Sequence, residues 1–455
     1  MDGVRLIAHY LGSYRKDFLL AVLCVALETS LELVIPLLMA NVIDDGIIGR
    51  DLGAVAVNGA LMLVFAFGAL VLGFTYARFS ARAAMGLGAN LREAEYTHLQ
   101  EFSFANLDDF EASSLVTRLT TDVTVIQNAL VSGTRPLTRG PSILILGLVF
   151  AAVMSPELAV VFFLVLPVLA VAMFLVVRHV GPLYRLLQSA MDRLNDALQE
   201  DLAAIRVIKA YVREGHVADR FAEVNESLAK TGTRTFRTAV LNTPIFQGTM
   251  YVTCVAILWI GGQMILAGTL MVGTFTGFMS YIFQIVNSLM MISNVFLLLA
   301  RAVTSVERVG EVLDERPTIT SPEGAVTEVS DGSVTFDHVS FRYAADAERD
   351  VLENVCLDLA AGSTVGVLGG TGSGKSTLVQ LIARLYDVSS GAVRVGGRDV
   401  RAYDLAALRD AVGVVLQKNV LFSGTVRENL AWGNPDATDE QMLEACRLAR
   451  ADEVL

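Results

Sequence analysis

Six long apolar runs divide the first two thirds of the chain, at about residues 18–40, 55–76, 137–154, 158–177, 246–267 and 275–299. Each approaches the roughly 20 residues that a helix needs to cross a bilayer. The boundary between the third and fourth is the least defined, because only Ser155-Pro156-Glu157 separates them. Pro36, Pro156 and Pro167 lie within or beside runs, a placement that membrane helices tolerate better than soluble ones. The second and third runs, and the fourth and fifth, are joined by segments of about sixty residues without a Pro/Gly-rich linker composition. In these segments Leu115, Leu119, Val123 and Ile126, and again Ile205, Val207, Ile208 and Tyr211, recur on an amphipathic helical pattern. Both segments are expected to be helical hairpins that prolong the membrane helices. An arm of about 25 residues reaches roughly 35–40 Å at the rise of an α-helix.

A helix over 301–313 is expected to lead into a polar linker at 314–330, which carries Glu315-Arg316-Pro317 and Ser321-Pro322-Glu323-Gly324. The period then shortens to two. Val334, Phe336, Val339, Phe341 and Tyr343 alternate, followed by strand-like stretches at 351–359, 364–368, 393–395 and 412–416 and a helical one at 405–409. Strands alternating with helices predict a parallel-sheet α/β domain over 331–455.

Composition agrees with a membrane protein: 53% of the 455 residues are hydrophobic, and the mean hydropathy is +0.54. A net charge of −12 argues against a nucleic-acid partner. Cys24, Cys254, Cys356 and Cys446 have neither disulfide nor metal-ligand spacing, and the five histidines are dispersed. The basic, polar start at 1–16, followed by a long apolar run without a small-residue cleavage site, favours a retained anchor over a removable signal. Arginine and lysine crowd the two long segments, among them Arg82, Arg92, Arg118, Arg135 and Arg139 in the first, whereas the opposite loops hold only Arg50. The positive-inside rule therefore places both termini and both long segments in the cytoplasm.

The chemistry concentrates at 363–385. The apolar, β-branched run 364–368 is followed by Gly369-Gly370-Thr371-Gly372-Ser373-Gly374-Lys375-Ser376, which fits G-x-x-x-x-G-K-[ST]. From Thr377 onward Leu378, Leu381, Ile382 and Leu385 fall at helical spacing. Strand, glycine-rich turn and helix in this order form a phosphate-binding loop. The glycines let backbone N–H groups converge on one centre, and the helix N-terminus adds its positive end. Lys375 is expected to meet the β- and γ-phosphates of a nucleoside triphosphate, and the Ser376 hydroxyl to ligate Mg²⁺.

With these residues in place the chain resembles a half-transporter of the ATP-binding-cassette exporter family, over essentially its whole length. The fold implied is an all-α six-helix membrane domain with long cytoplasmic arms (1–313), then an α/β P-loop nucleotide-binding domain. Phe341-Arg342-Tyr343 is similar to the segment whose aromatic stacks on adenine. Val415-Leu416-Gln417, leading into Leu421-Phe422-Ser423-Gly424-Thr425-Val426-Arg427-Glu428-Asn429, is similar to the glutamine loop and the segment just after it. The resemblance thus implies that Tyr343 and 369–377 bind ATP, and that Gln417 reaches Mg²⁺ and the attacking water. Ser114-Leu115-Val116-Thr117-Arg118-Leu119 and Ile205-Arg206-Val207-Ile208-Lys209-Ala210-Tyr211 resemble the two arms. Their tips, near 105–111 and 210–215, would be coupling helices docked on nucleotide domains.

The resemblance also implies a partner, a second half-transporter, and a hydrophobic or amphipathic drug- or lipid-like cargo moved out of the cell membrane. Ala112-Ser113-Ser114, where many members carry a glycine, favours a heterodimer over a homodimer. Nothing after Gln417 supplies the family's signature, acidic Mg²⁺ ligand, catalytic glutamate or switch histidine, and His338 comes too early for the last. The chain is therefore expected to be part of a longer protein. An alternative is a catalytically weak regulatory half that holds ATP. Glu28 and Glu32, one turn apart on the first run, are candidates for contact with a cationic cargo; Gln247, Gln284, Asn287 and Asn294 fit interhelical hydrogen bonds better.

Overall fold

The structure, a computed structural model, describes residues 3–344, 347–417 and 419–451, apart from the side chains of 173, 177, 242, 293, 294, 296–298, 300 and 301. It divides into two compact units, 1–100 with 111–315 and 101–110 with 316–455. In chain order the helices of the first part are α1 (Gly3–Tyr10), α2 (Arg15–Asn41), α3 (Leu52–Glu101), α4 (Phe104–Asp108), α5 (Ala112–Thr117), α6 (Val123–Met154), α7 (Pro156–Ala203), α8 (Ile205–Ala210), α9 (Glu214–Ala239), α10 (Asn242–Leu266) and α11 (Val272–Asp314). All but α4 belong to the first unit.

Six helical stretches in this unit are long and apolar enough to span a membrane, and the six expected runs fall on them, the last stretch ending at Ile292 among the described residues. α3 and α7 continue unbroken for 50 and 48 residues, so the expected arms are prolonged membrane helices. The predicted helix at 301–313 is simply the end of α11. Between α6 and α7 one residue suffices: Ser155 is extended, its side chain accepts a hydrogen bond from Leu158 N, and Pro156 opens the next helix. The apolar side chains Leu63, Phe67, Leu70 and Phe74 of α3 are exposed, as lipid-facing residues must be when no apolar partner covers them.

The bundle interior is aromatic. Phe162 stacks on Phe278 at 5.5 Å, and buried Tyr281 donates to the Leu33 carbonyl at 2.5 Å. Gly277 lets α11 approach α2 closely, since a Cβ there would lie 2.7 Å from the Pro36 carbonyl. Asp44, in a π-helical extension of α2, caps α11, accepting from Gly273 N at 2.6 Å and Thr274 N at 2.8 Å. Its charge meets the positive end of the helix.

The charged residues in this bundle do not stand free. Glu28 and Glu32 are each ion-paired: Arg135 binds Glu28 and Arg139 binds Glu32, each at 2.5 Å. Arg135 and Arg139, at the junction of the expected basic segment and the third run, are helical and face α2 from α6. Burial dictates the pairing, because a carboxylate withdrawn from water is tolerated only beside a compensating charge. The amides do not act as interhelical bonds either. Among the described residues Gln247, Gln284 and Asn287 make no hydrogen bond and are partly or fully exposed; the Asn294 side chain lies outside the described set.

Beyond the spans, the first arm packs Leu87 and Leu91 of α3 against Leu6 and Leu11, Val123 and Ile126, and Val306 and Val309. Its polar seam joins Asp122 to Ser305 and Arg308, and Arg118 to Glu311. The second arm pairs α7 with α9 through Arg220, which reaches Glu200 and Asp201. At its tip Val207 and Tyr211 are exposed.

The second unit holds β1 (Val334–Phe341), β2 (Leu352–Leu359), β3 (Ser390–Val395) and β4 (Arg398–Asp399) in the order β2-β1-β3-β4, all antiparallel. It also holds helices α12 (Lys375–Ile382), α13 (Leu405–Ala411), α14 (Val426–Leu430) and α15 (Asp439–Leu448). Phe336 and Val339 both enter the core although three residues apart, because the ladder is irregular between them and His338 has φ 50°. The predicted parallel sheet is absent among the described residues, where the one parallel pairing is the isolated bridge Val326–Tyr403. The runs 364–368 and 412–416 are unpaired, with Leu368 97% and Val415 90% exposed. Parallel strands are stable when both faces are covered and both edges paired, and neither run has those neighbours.

Glu95, on the arm half of α3, is fully buried and neither carboxylate oxygen has a partner. Burial, and next the Asp122 charge, push its pKa up from the ordinary 4.5 to about 7, against the pull of Arg118 and Arg92. The folded state therefore keeps a proton that the unfolded state releases, and stability falls as pH rises from 4.5 to about 7, then levels off. The loss amounts to roughly 3 kcal/mol. Glu95→Gln should remove it: in thermal unfolding the variant gains on the parent at pH 8 and not at pH 4.5. Parallel pH profiles for the two proteins would contradict this.

Candidate nucleotide site

The glycine-rich loop ends on a left-handed residue. Gly374, with φ 84°, is the N-cap of α12, and a Cβ there would lie 2.8 Å from Leu352 and 3.1 Å from the Val351 carbonyl. Gly372 is also left-handed, with φ 81°. A Cβ on Gly369 would meet Ser373 Oγ at 2.6 Å. Glycine is required by space and conformation at Gly374 and by conformation at Gly372, and the bare backbone there is the property a phosphate cradle uses. Lys375 Nζ donates to the carbonyls of Gly369 at 2.9 Å and Gly370 at 2.6 Å, which folds its charge over the loop. Thr371 and Ser376 are exposed beside it. The loop therefore offers a cation, a hydroxyl and a helix N-terminus to one small volume, a donor set that suits a triphosphate and its Mg²⁺.

Thr377 has a different place from its neighbours. It is buried and hydrogen-bonded at 2.8 Å to the hydroxyl of Tyr343. Tyr343, half-exposed, also donates to Gln380 at 3.3 Å. The aromatic proposed to stack on adenine is thus tied to the first turns of the phosphate-loop helix. Gln417 is not brought in: it is exposed, and no described hydrogen bond links it to the loop. The strand meant to carry it, 412–416, lacks a ladder, so nothing fixes its direction. The stretch beyond it is locally ordered, with Asn429 bonding both the N–H and the carbonyl of Phe422, and Phe422 stacked on Trp432 at 4.2 Å.

Sequence reasoning missed the residues that join α4 to this unit. Tyr386 packs edge-on against Tyr343, with ring centres 5.1 Å apart, lies 6.0 Å from Phe104, and donates to Asp108 at 2.7 Å. Burial first, and then the Asp108 carboxylate, hold its hydroxyl protonated. Asn106, 1% exposed, accepts from Thr318 N at 3.0 Å and donates to the Arg316 carbonyl at 2.9 Å. Ser103 and Asn106 also close a reciprocal cap on α4. The spacing Ser103-x-x-Asn106 was the readable signal, because a short polar residue three places after a serine suits a cap. The arm tip expected at 105–111 is thus α4, one turn seated in the unit that holds the phosphate loop.

The transmembrane-region family of ABC transporters matches residues 18–289, and the ABC transporter family matches 352–455. The chain belongs to the ABC transporters. It is 33% identical over 440 residues to the uncharacterized ABC transporter ATP-binding protein YfiB of Bacillus subtilis, covering 96% of this chain and 76% of that one. A second uncharacterized ABC transporter ATP-binding protein, from Mycobacterium tuberculosis, is 34% identical over 459 residues, covering 98% and 78%. A multidrug efflux ATP-binding/permease protein of Mycobacterium bovis is 32% identical over 446 residues, covering 98% of this chain and 37% of its own length. This ABC transporter is accordingly a multi-pass membrane protein of the ATPase type with an ATP-binding unit.

Asn106→Ala would remove the bonds that hold the Thr318 N–H and the Arg316 carbonyl to α4, a loss of about 1–3 kcal/mol. Amide exchange across 103–108 should accelerate while exchange in α6 stays as it was. Unchanged protection of α4 would show that its seating rests on Phe104 and Asp108 instead.

Proposed function

We propose that this ABC transporter is one half of a dimeric exporter that uses ATP to move a hydrophobic or amphipathic, drug- or lipid-like cargo out across the cell membrane. The observation that carries the reading is the contact of α4 with Tyr386 and, through it, with Tyr343. One arm of the membrane helices ends beside the aromatic that would receive adenine. Stacking on Tyr343 presses on Tyr386, and Tyr386 holds Asp108 of α4, so nucleotide capture and arm position share one set of side chains. ATP supplies the free energy that shifts the helices between inward- and outward-facing arrangements. Lys375 neutralises the β- and γ-phosphates, Ser376 offers a ligand to Mg²⁺, and the N–H groups of 370–377 orient the phosphate chain.

The exposed tip of the second arm, with Val207 and Tyr211 uncovered, suits docking on a second half-transporter. Ala112-Ser113-Ser114 favours a different chain over a second copy. The arginine-rich arms support a cytoplasmic location for both termini and the nucleotide unit. The multidrug efflux relative supports the cargo class, although it is named for its own activity.

Reconstituted in vesicles with its partner, the protein should accumulate an amphipathic dye only with Mg²⁺-ATP. Lys375→Ala should reduce nucleotide affinity at least about tenfold, since loss of one hydrogen bond to a charged group is worth about 1.4 kcal/mol or more, and should abolish accumulation. Tight ATP binding with neither turnover nor transport would favour the regulatory half instead. Transport that survives Lys375→Ala would overturn both.

A further inference from the structure

At the arm-side end of the second apolar run, α3 carries an open groove of about 420 Å³ lined by Phe74, Thr75, Arg78, Phe79 and Arg82. Phe74, Arg78 and Arg82 follow at intervals of four residues and so form one stripe of the helix. Phe74 is 78% exposed. Both arginines are exposed, and neither side chain makes a hydrogen bond or an ion pair among the described residues. Elsewhere in this unit Arg118, Arg135 and Arg139 each meet a carboxylate. Around the groove there is none to meet. α3 has no acidic residue before Glu93, and Asp17, the acid in the first turn of α2, pairs with neither arginine.

The level of the groove follows from both neighbouring spans. Gly73 lies against Glu28 and Gly86 against the Tyr14 ring, so α2 and α3 run side by side in opposite directions. Phe18, four residues after Tyr14, is then level with Arg82, four residues before Gly86. Phe18 opens the first apolar run, which sets Arg82 at the edge of the hydrocarbon. The second run ends at Tyr76, six residues before Arg82, which sets it about 9 Å outside. Between those limits lies the headgroup layer, about 5–8 Å thick on each face of a bilayer. Arg78 stands one turn nearer the bilayer, and its long stem lets the guanidinium extend into the same layer.

Two guanidiniums with no acid beside them suit a phosphodiester that carries net negative charge, because each can fork onto its oxygens. A zwitterionic headgroup would bring its ammonium to the same uncompensated cations. We propose that this groove binds one anionic phospholipid of the arm-side leaflet, its phosphate between Arg78 and Arg82 and an acyl chain along Phe74. Charge that merely orients the spans could lie anywhere on the arms, whereas a groove confines the preference to one place. The site needs neither nucleotide nor cargo.

The test is native mass spectrometry of the full chain, purified in detergent and exposed to an equimolar mixture of phosphatidylglycerol, phosphatidylethanolamine and phosphatidylcholine. Phosphatidylglycerol should be retained at least about tenfold over either of the others, since each basic residue at a lipid surface contributes a factor of about five. Arg78→Gln combined with Arg82→Gln should erase the preference. Arg234→Gln combined with Arg237→Gln, an equal loss of charge from α9, should leave it intact. All four side chains are exposed and unbonded among the described residues, so both variants should keep the parent's melting temperature. Equal retention of the three lipids, a preference that survives in the α3 variant, or one lost equally in the α9 variant would each overturn the proposal.

Discussion

In lipid no water stands ready to accept a backbone hydrogen bond, and that single prohibition shapes the membrane unit. It forces unbroken helices, and an unbroken helix that has crossed the bilayer has little reason to stop at the surface if its next residues are good helix formers. α3 runs for 50 residues and α7 for 48 on this principle. Where the chain must break, the freed groups are capped at once: Ser155 serves α7, and Asp44 serves α11 from the other end of the unit's sequence. Side-chain charges follow the same logic. Glu28 and Glu32 meet Arg135 and Arg139, while Asp122 meets Ser305 and Arg308. Glu95 has no such hydrogen-bonded partner, and it answers by holding its proton instead.

The nucleotide unit is governed by a different constraint, the need to bare the backbone. Gly369, Gly372 and Gly374 leave the backbone of the loop bare, and Lys375 bends its charge over it. The loop is supported from below by α12 and from the side by Tyr343, whose hydroxyl is fixed to Thr377. Tyr386 then spans from this aromatic to Asp108. A contact of this kind matters more than its modest energy suggests. It couples the half-exposed ring of Tyr343 to the buried ring of Tyr386, and the buried ring resists rearrangement.

Much of this is legible in the residues alone because it rests on local pattern. Long apolar runs state their own length requirement, and G-x-x-x-x-G-K-S is a backbone geometry written in residue types. What failed was non-local. The stretches 364–368 and 412–416 read as strands, yet a parallel strand exists only by virtue of its neighbours, and those are not supplied among the described residues. Arg135 and Arg139 read only as part of a basic segment that sets orientation; that they share a helix face with the same four-residue spacing as Glu28 and Glu32 is visible only when two distant helices are set side by side. Tyr386 carries no local mark for a similar reason, and the cap pattern that marks Asn106 says nothing of its bonds to Thr318 and Arg316, since each draws its role from a partner more than two hundred residues away.

The pairing of those four charges also bears on how an exporter of this design would choose its cargo. Two free carboxylates would select cations through a long-range field that is strong in a medium of low dielectric constant. Two carboxylates neutralised by two guanidiniums present almost no net field, and what remains is short-ranged and directional. Discrimination then falls to apolar contact, which is worth about 25 cal/mol per Å² and is indifferent to the shape of the molecule that supplies it. On the export reading proposed above, a bundle whose acids are already paired therefore suits amphipathic cargoes of varied charge better than cations alone.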